Sequence, residues 1–358
     1  MAANSAHTIP VPGTRGPARA ATASPQPAAP RPGQAGPAGG LRKPVVALTA
    51  VIMFQLLFAS VFLGVLHRPA LHHAAVGVVG TSPVAAAVSR QGDGAIDLVR
   101  EPTVQAAQAR IRDGRLYAAV VAAPRGESLL IETAASPGTA SALTKGFTAA
   151  ATAMKVPLQV RDLAPLPPAD PAGTSAFFLV AGWVLGGYVG TTVLGLTLGM
   201  RSKGLRQAAL RLGLLAAYAT VSGFAGALLF GPGLGVMSGF SAALAGVGIL
   251  VVFAAATATA ALQGALGMPG TLIAILGMVV FGNPTAGQSI ATPLLASPWN
   301  VIGQVLPPGA GLSSARSVIY LGGVNLTGPF TVLSGYAVAG TLVTLAAAAW
   351  RRHKVAAA

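Results

Sequence analysis

Long unbroken apolar runs, more than any alternation, organise this chain. Residues 45–66 form a charge-free run about as long as a bilayer-spanning helix, on the order of 20 residues. Four further runs follow at 174–199, 212–231, 236–262 and 265–282, and a last one covers 332–350. The pattern predicts six transmembrane helices. Residues 44–66 make the first, 174–282 hold the second to fifth, and 332–350 make the sixth.

Between the first and second runs, 67–173 reads differently. The stretch 75–88 predicts a strand carrying Val76, Val78 and Val79, then a turn at Thr81-Ser82-Pro83. Residues 102–112 predict a helix with Pro102 at its start, where a missing N–H costs nothing, and Asp113-Gly114 ends it. The apolar run 116–123 suits a buried strand. A turn at Pro124-Arg125-Gly126 leads to a second strand at 129–132, and 140–154 reads as a return helix. The result is a small α/β unit, followed by a stiff linker at 165–171.

Two segments fit neither pattern. Residues 1–43 are Ala-, Pro- and Gly-rich with almost no large apolar residue, too little to offset the entropy of ordering, so a disordered tail is expected. Residues 283–331 set Asn283-Pro284, Pro293, Pro298, Pro307-Pro308, Gly309 and Gly311 among apolar residues. Irregular backbone at membrane depth survives only where protein or a water-lined cavity satisfies it. A re-entrant or interfacial segment on the outer face is the expectation.

Composition agrees: 53% of residues are apolar, 9% are charged, and mean hydropathy is +0.68. A soluble domain carries about 25% charged residues. The net charge of +15 would suggest a polyanion partner, but the placement of the charges argues otherwise. All eight acids lie between Asp93 and Asp170, where basic residues nearly balance them. The unbalanced cations sit in the tail (Arg15, Arg19, Arg31, Arg42, Lys43), in the loop 200–211 (Arg201, Lys203, Arg206, Arg211), at Arg316, and at the chain end (Arg351, Arg352, Lys354). That is a positive-inside distribution, with both termini and the loop 200–211 cytoplasmic and 67–173 outside. With no basic patch interleaved with aromatics, nucleic acid is not an expected partner. Membrane lipid is.

The chemistry available is sparse. There is no cysteine, hence no disulfide or thiol nucleophile. No Gly-x-x-x-x-Gly-Lys-[Ser/Thr] loop occurs, so the chain is not its own ATPase. No Ser/His/Asp set can be assembled, and no enzyme activity or cofactor is expected of this chain. His67, His72 and His73 lie just outside the first run, more as interfacial polar residues than as a metal site, which would want a further ligand and a supporting partner. Asn325-Leu326-Thr327 matches a glycosylation sequon. Glycines spaced as Gly182, Gly186, Gly190 and Gly231, Gly235, Gly239 suit close helix packing. The predicted spans lack ionisable residues, which argues against proton- or ion-coupled transport, where buried charges carry the coupling. The basic loop 200–211 reads either as a coupling helix for a cytoplasmic partner or as a topology signal lying on anionic lipid.

This layout resembles a family: the ABC type-2 permease domain, within it the actinobacterial-looking branch near the phage-infection-protein-like (YhgE/Pip-type) membrane proteins. The stretch from Glu101-Pro102-Thr103 through Asp113-Gly114 to Val120-Val121 is similar to the family's outer helix, turn and strand. Gly282-Asn283-Pro284-Thr285-Ala286-Gly287 resembles its Gly-Asn-Pro-Ser-Ser-Gly. Leu306-Pro307-Pro308-Gly309-Ala310 resembles its Leu-Pro-Pro-Gly-Ala segment. The resemblance covers about 45–350 and implies a plasma-membrane homodimer exporting a hydrophobic or amphipathic substrate, with ATP bound by a separate P-loop ATPase subunit. Coupling would pass through Arg201, Lys203, Arg206 and Arg211. Gly282, Asn283, Pro284, Pro307, Pro308 and Gly309 would mark an outer re-entrant motif. Two departures stand out: the tail shows no amphipathic connecting helix, and 200–211 is short. The alternative is a non-transporting envelope protein whose domain 67–173 binds a protein or cell-wall ligand.

Overall fold

The computed structural model describes residues 37–66, 70–92 and 94–356. The chain divides into two compact units, Met1–Ile52 and Met53–Ala358. Most of the expected tail, together with His67, Asp93 and the last two residues, lies outside the described residues. Residues 37–43 of that tail are helical: the first helix, α1, runs Pro37–Leu66.

Six helices among the described residues are long and apolar enough to cross a membrane. They are α1, α5 (Ser175–Leu198), α6 (Leu205–Leu228, prolonged by a π-helical turn to Gly233), α7 (Ala242–Leu266), α8 (Met268–Ile275, prolonged likewise through Gly282) and α12 (Thr327–Ala356). The chain is therefore a multi-pass membrane protein in its architecture. The hub is α7: its span is 61% buried, against 28% for α5 and α12. Its sequence is Ala-rich on every side, so neighbours approach its backbone. A Cβ on Gly187 of α5 would stand 2.7 Å from Val252 O, and one on Gly223 of α6 would stand 2.6 Å from Ala245 O. Such small-residue contacts are what hold helices together in lipid. The expected packing role fits Gly186, where a Cβ would meet the Tyr218 hydroxyl at 2.6 Å, whereas Gly182 meets nothing within 4 Å.

Between α1 and α5 lies a mixed sheet of five strands in the order β2-β1-β3-β4-β5. The elements are β1 (Ala74–Val79), α2 (Pro83–Gln91), β2 (Ile96–Glu101), α3 (Val104–Arg112), β3 (Ala118–Ala123), β4 (Gly126–Ile131), α4 (Pro137–Met154) and β5 (Leu158–Asp162). β1 runs parallel to β2 and β3, β3 and β4 form an antiparallel hairpin, and β5 adds parallel to β4. The expected helix at 102–112 begins two residues later, with Thr103 accepting the Ala106 N–H at 3.1 Å as its cap.

Three expectations need correction. The turn expected at Thr81-Ser82-Pro83 opens a helix instead: β1 ends at Val79, Ser82 caps α2 and Pro83 starts it. β2 and β5 were not expected; both are charged edge strands (Ile-Asp-Leu-Val-Arg-Glu and Leu-Gln-Val-Arg-Asp) whose polar residues hide the pattern. Nor is the loop before α6 twelve residues long: α5 ends at Leu198 and α6 starts at Leu205, leaving only 199–204 non-helical. Arg206 and Arg211 are helical.

One face of the sheet is covered by α2 and α4, with Val76, Val120, Leu129, Leu143 and Phe147 buried between them. Ile290, Leu294 and Leu295 join this same core, although they come from the chain beyond α8. The opposite face buries Ala107 and Ile111 of α3 against Leu116, Ala119 and Leu130.

Candidate functional site

The irregular stretch after α8 folds into short pieces: α9 (Asn283–Thr285), a 3-10 turn (Thr292–Leu294), α10 (Trp299–Val305) and α11 (Pro307–Tyr320). α10 and α11 make a hairpin, and Pro307-Pro308 opens its second arm, where a missing N–H is harmless. α11 packs against α5, α7 and α12, and residues 307–312 are all buried. Glycines permit the fit. A Cβ on Gly309 would fall 2.0 Å from Gly303 O, and one on Gly311 would meet Val180 and Val251 at about 3 Å. A Cβ on Gly282 would press on the Pro308 ring at 2.6 Å, so the structure brings the two ends of the expected re-entrant motif together. Pro284 is buried and Asn283 half-buried, with Asn283 Oδ1 left without a partner.

The segment between these pieces is pinned to the sheet. The Ala291 N–H donates to Thr139 Oγ1 at 3.0 Å, the His72 N–H donates to Leu294 O at 3.2 Å, and Asn325 Nδ2 donates to Arg112 O at 2.9 Å. Between the hairpin, the start of α12 and the sheet lies a cavity of about 560 Å³. Its wall includes Ala135, Gly287, Val305, Ala310, Arg316 and Val332. A smaller one of about 120 Å³ shares Gly114, Ala135, Ala291, Leu321 and Asn325 with it.

Arg316 is the charge in this wall, and it is 5% exposed. Its Nη1 donates to Gly287 O at 2.6 Å and its Nη2 to Gln288 O at 3.3 Å, while Nε has no partner. Burial lowers its pKa to about 10, an effect that Tyr320 and Asp170 oppose. Asp170, itself buried, caps α5 by accepting the Thr174 N–H at 3.2 Å and the Ser175 N–H at 3.3 Å. It also accepts the Tyr320 hydroxyl at 2.5 Å. Burial and that bond push the Tyr320 pKa up.

A second polar cluster sits inside the helix bundle. Arg211 is 2% exposed on α6, which overturns the expectation that the spans lack ionisable residues. It donates to Met200 O at 3.0 Å, to Thr191 O at 3.1 Å and to Gln263 Oε1. Gln263 Nε2 in turn donates to Thr271 Oγ1 at 3.0 Å. Arg201, Lys203 and Arg206 are exposed, so the structure separates Arg211 from the other three residues expected to act with it. Among the described residues no cluster of His, Asp and Glu could hold a metal ion. His73 instead faces Asp97 at 3.3 Å in the open.

No family model, no curated protein and no solved structure matches this chain.

Sequence reasoning named the motif around the cavity but passed over Arg316, Asp170 and Tyr320 as a group. A signal was present: Arg316 is the sole charged residue between Leu212 and Trp350. Gln263, by contrast, looks like any span-terminal amide.

Proposed function

We propose that this chain is the membrane (permease) subunit of an ABC type-2 exporter-like system, moving a hydrophobic or amphipathic substrate with energy from a separate P-loop ATPase. In this reading it lies in the plasma membrane with both termini cytoplasmic and the sheet outside, and it works as a homodimer. The observation that carries the reading is the α10–α11 hairpin, whose second arm is seated among α5, α7 and α12 and faces a cavity of about 560 Å³. A substrate path needs a polar-satisfied break in the bundle, and irregular backbone lining a cavity supplies one.

The partner would push on 199–204 and the first turn of α6, where Arg201, Lys203 and Arg206 are exposed. α6 packs along α7, and α7 contacts α11, so a tilt of α6 has a packed route to the cavity wall. Arg211 would serve this route from inside, tying α6 to α5 and α7.

The test is an affinity pull-down of the tagged full chain in mild detergent, with bound proteins identified by mass spectrometry. Stoichiometric capture of a P-loop ATPase, lost when Arg201, Lys203 and Arg206 are all changed to Ala, is the expected result. A clean preparation without ATPase overturns the reading. The envelope-protein alternative has its own support in an apolar cavity of about 410 Å³ in the sheet region, lined by Leu71, Val88, Ile96, Phe147 and Met154 among others. Under that alternative, the isolated preparation would retain an outer ligand and no ATPase.

A further inference from the structure

The large cavity combines an apolar wall with a single buried cation. Its volume, about 560 Å³, lies within the range of small-molecule pockets, roughly 300–1,000 Å³. Val305, Ala310, Leu321 and Val332 supply apolar surface, and Gln304 and Asn325 add amides. Gly328 leaves the wall open, since a Cβ there would meet nothing within 4 Å, whereas Gly287, Gly303 and Gly309 let the wall's own backbone pack closely.

Arg316 is hard to explain by packing alone. A guanidinium has five N–H donors, and burying one is costly unless it is both paired and hydrogen-bonded. Here two carbonyls take Nη1 and Nη2, Nε is left over, and no carboxylate among the described residues touches the group. The nearby Asp170 is occupied elsewhere, its oxygens taken by the N-terminus of α5 and by Tyr320. A buried cation with spare donor capacity, in the wall of a largely apolar cavity, is complementary to an anion that carries a chain.

We infer that this cavity binds an amphipathic anion, a carboxylate or phosphate monoester on an alkyl chain, with Arg316 taking the head and Val305, Ala310 and Val332 the chain. The inference deepens the transport reading and rests on it only for the ligand's role as cargo.

The test uses the full chain in nanodiscs of zwitterionic lipid, titrated calorimetrically with dodecyl phosphate, dodecanol and inorganic phosphate, with empty nanodiscs subtracted. Dodecyl phosphate should bind about tenfold more tightly than dodecanol, as a charge-assisted hydrogen bond would give. Inorganic phosphate should bind weakly. Arg316→Gln should bring dodecyl phosphate down to the dodecanol level. Ser313→Trp, on the cavity wall, should weaken both chain-bearing probes while leaving Arg316 in place.

Equal binding of dodecyl phosphate and dodecanol to the native chain would overturn the inference, even if Arg316→Gln failed to fold. So would inorganic phosphate binding as tightly as dodecyl phosphate, which would mark a free-anion site. Failure of ATPase capture with this binding pattern intact would remove the cargo role and leave the site. Capture of the ATPase with no anion preference would remove the site and leave the transport reading.

Discussion

Thr139 Oγ1 accepts the backbone N–H of Ala291 at 3.0 Å, joining residues 152 positions apart. Thr139 opens α4 on the sheet, and Ala291 lies in the segment that feeds Ile290, Leu294 and Leu295 into the same core. A sheet unit whose core borrows residues from beside the hairpin cannot move without moving that hairpin's root. This is the physical link between the sheet and the cavity.

Thr139→Val keeps the shape and removes the acceptor, leaving the N–H of half-buried Ala291 without a partner. A cost of about 1–3 kcal/mol is expected, together with faster hydrogen exchange at 288–295. Thermal unfolding of the detergent-solubilised chain and exchange mass spectrometry would check it. Exchange unchanged at 288–295 would mean that the bond does not hold the segment.

Arg211→Ala should destabilise the bundle by about 3 kcal/mol, because it deprives Thr191 O, Met200 O and Gln263 of their donors. Arg211→Lys should recover little, since one ammonium lacks the planar fork that reaches several acceptors. The readout is the unfolding midpoint of both variants beside Arg206→Ala, which, on an exposed position, should scarcely change it.

Burial pushes the Glu132 pKa above its ordinary 4.5, with Arg112 pulling it down and Asp162 pushing it further up. The folded chain therefore holds this proton more tightly than the unfolded chain does. Its contribution to stability is full below the unfolded value and is lost as pH rises through the folded one. Glu132→Gln should flatten the fall in stability from pH about 4.5 upward, and should raise stability at neutral pH. Melting curves across that window would show a native-like slope in the variant if the idea is wrong.

The absence of cysteine makes the proposed orientation easy to test. Gln105 on α3 and Lys203 before α6 are both exposed. In intact cells a membrane-impermeant maleimide should label Gln105→Cys at once and Lys203→Cys only after permeabilisation. Labelling of both from one side would refute the topology.

What the linear order of residues decided was the part governed by local, one-dimensional physics. Apolar length marked all six helices long and apolar enough to cross a membrane, because a bilayer asks only for about 20 apolar residues. Asp113-Gly114 closed α3 where expected, because helix-ending signals act on their own turn. Pro307-Pro308 and Gly309 announced a break that the structure realises as α11. What only the tertiary structure decided was who meets whom. Arg211 and Arg316 turn inward because backbone carbonyls, which every residue carries, wait for them, and a carbonyl leaves no mark in a sequence. Ile290, Leu294 and Leu295 complete the core of the sheet, yet an apolar residue reads the same whether it will face lipid or another domain. β2 and β5 were hidden for the converse reason: at a sheet edge the partner strand, and not the side-chain pattern, makes the strand.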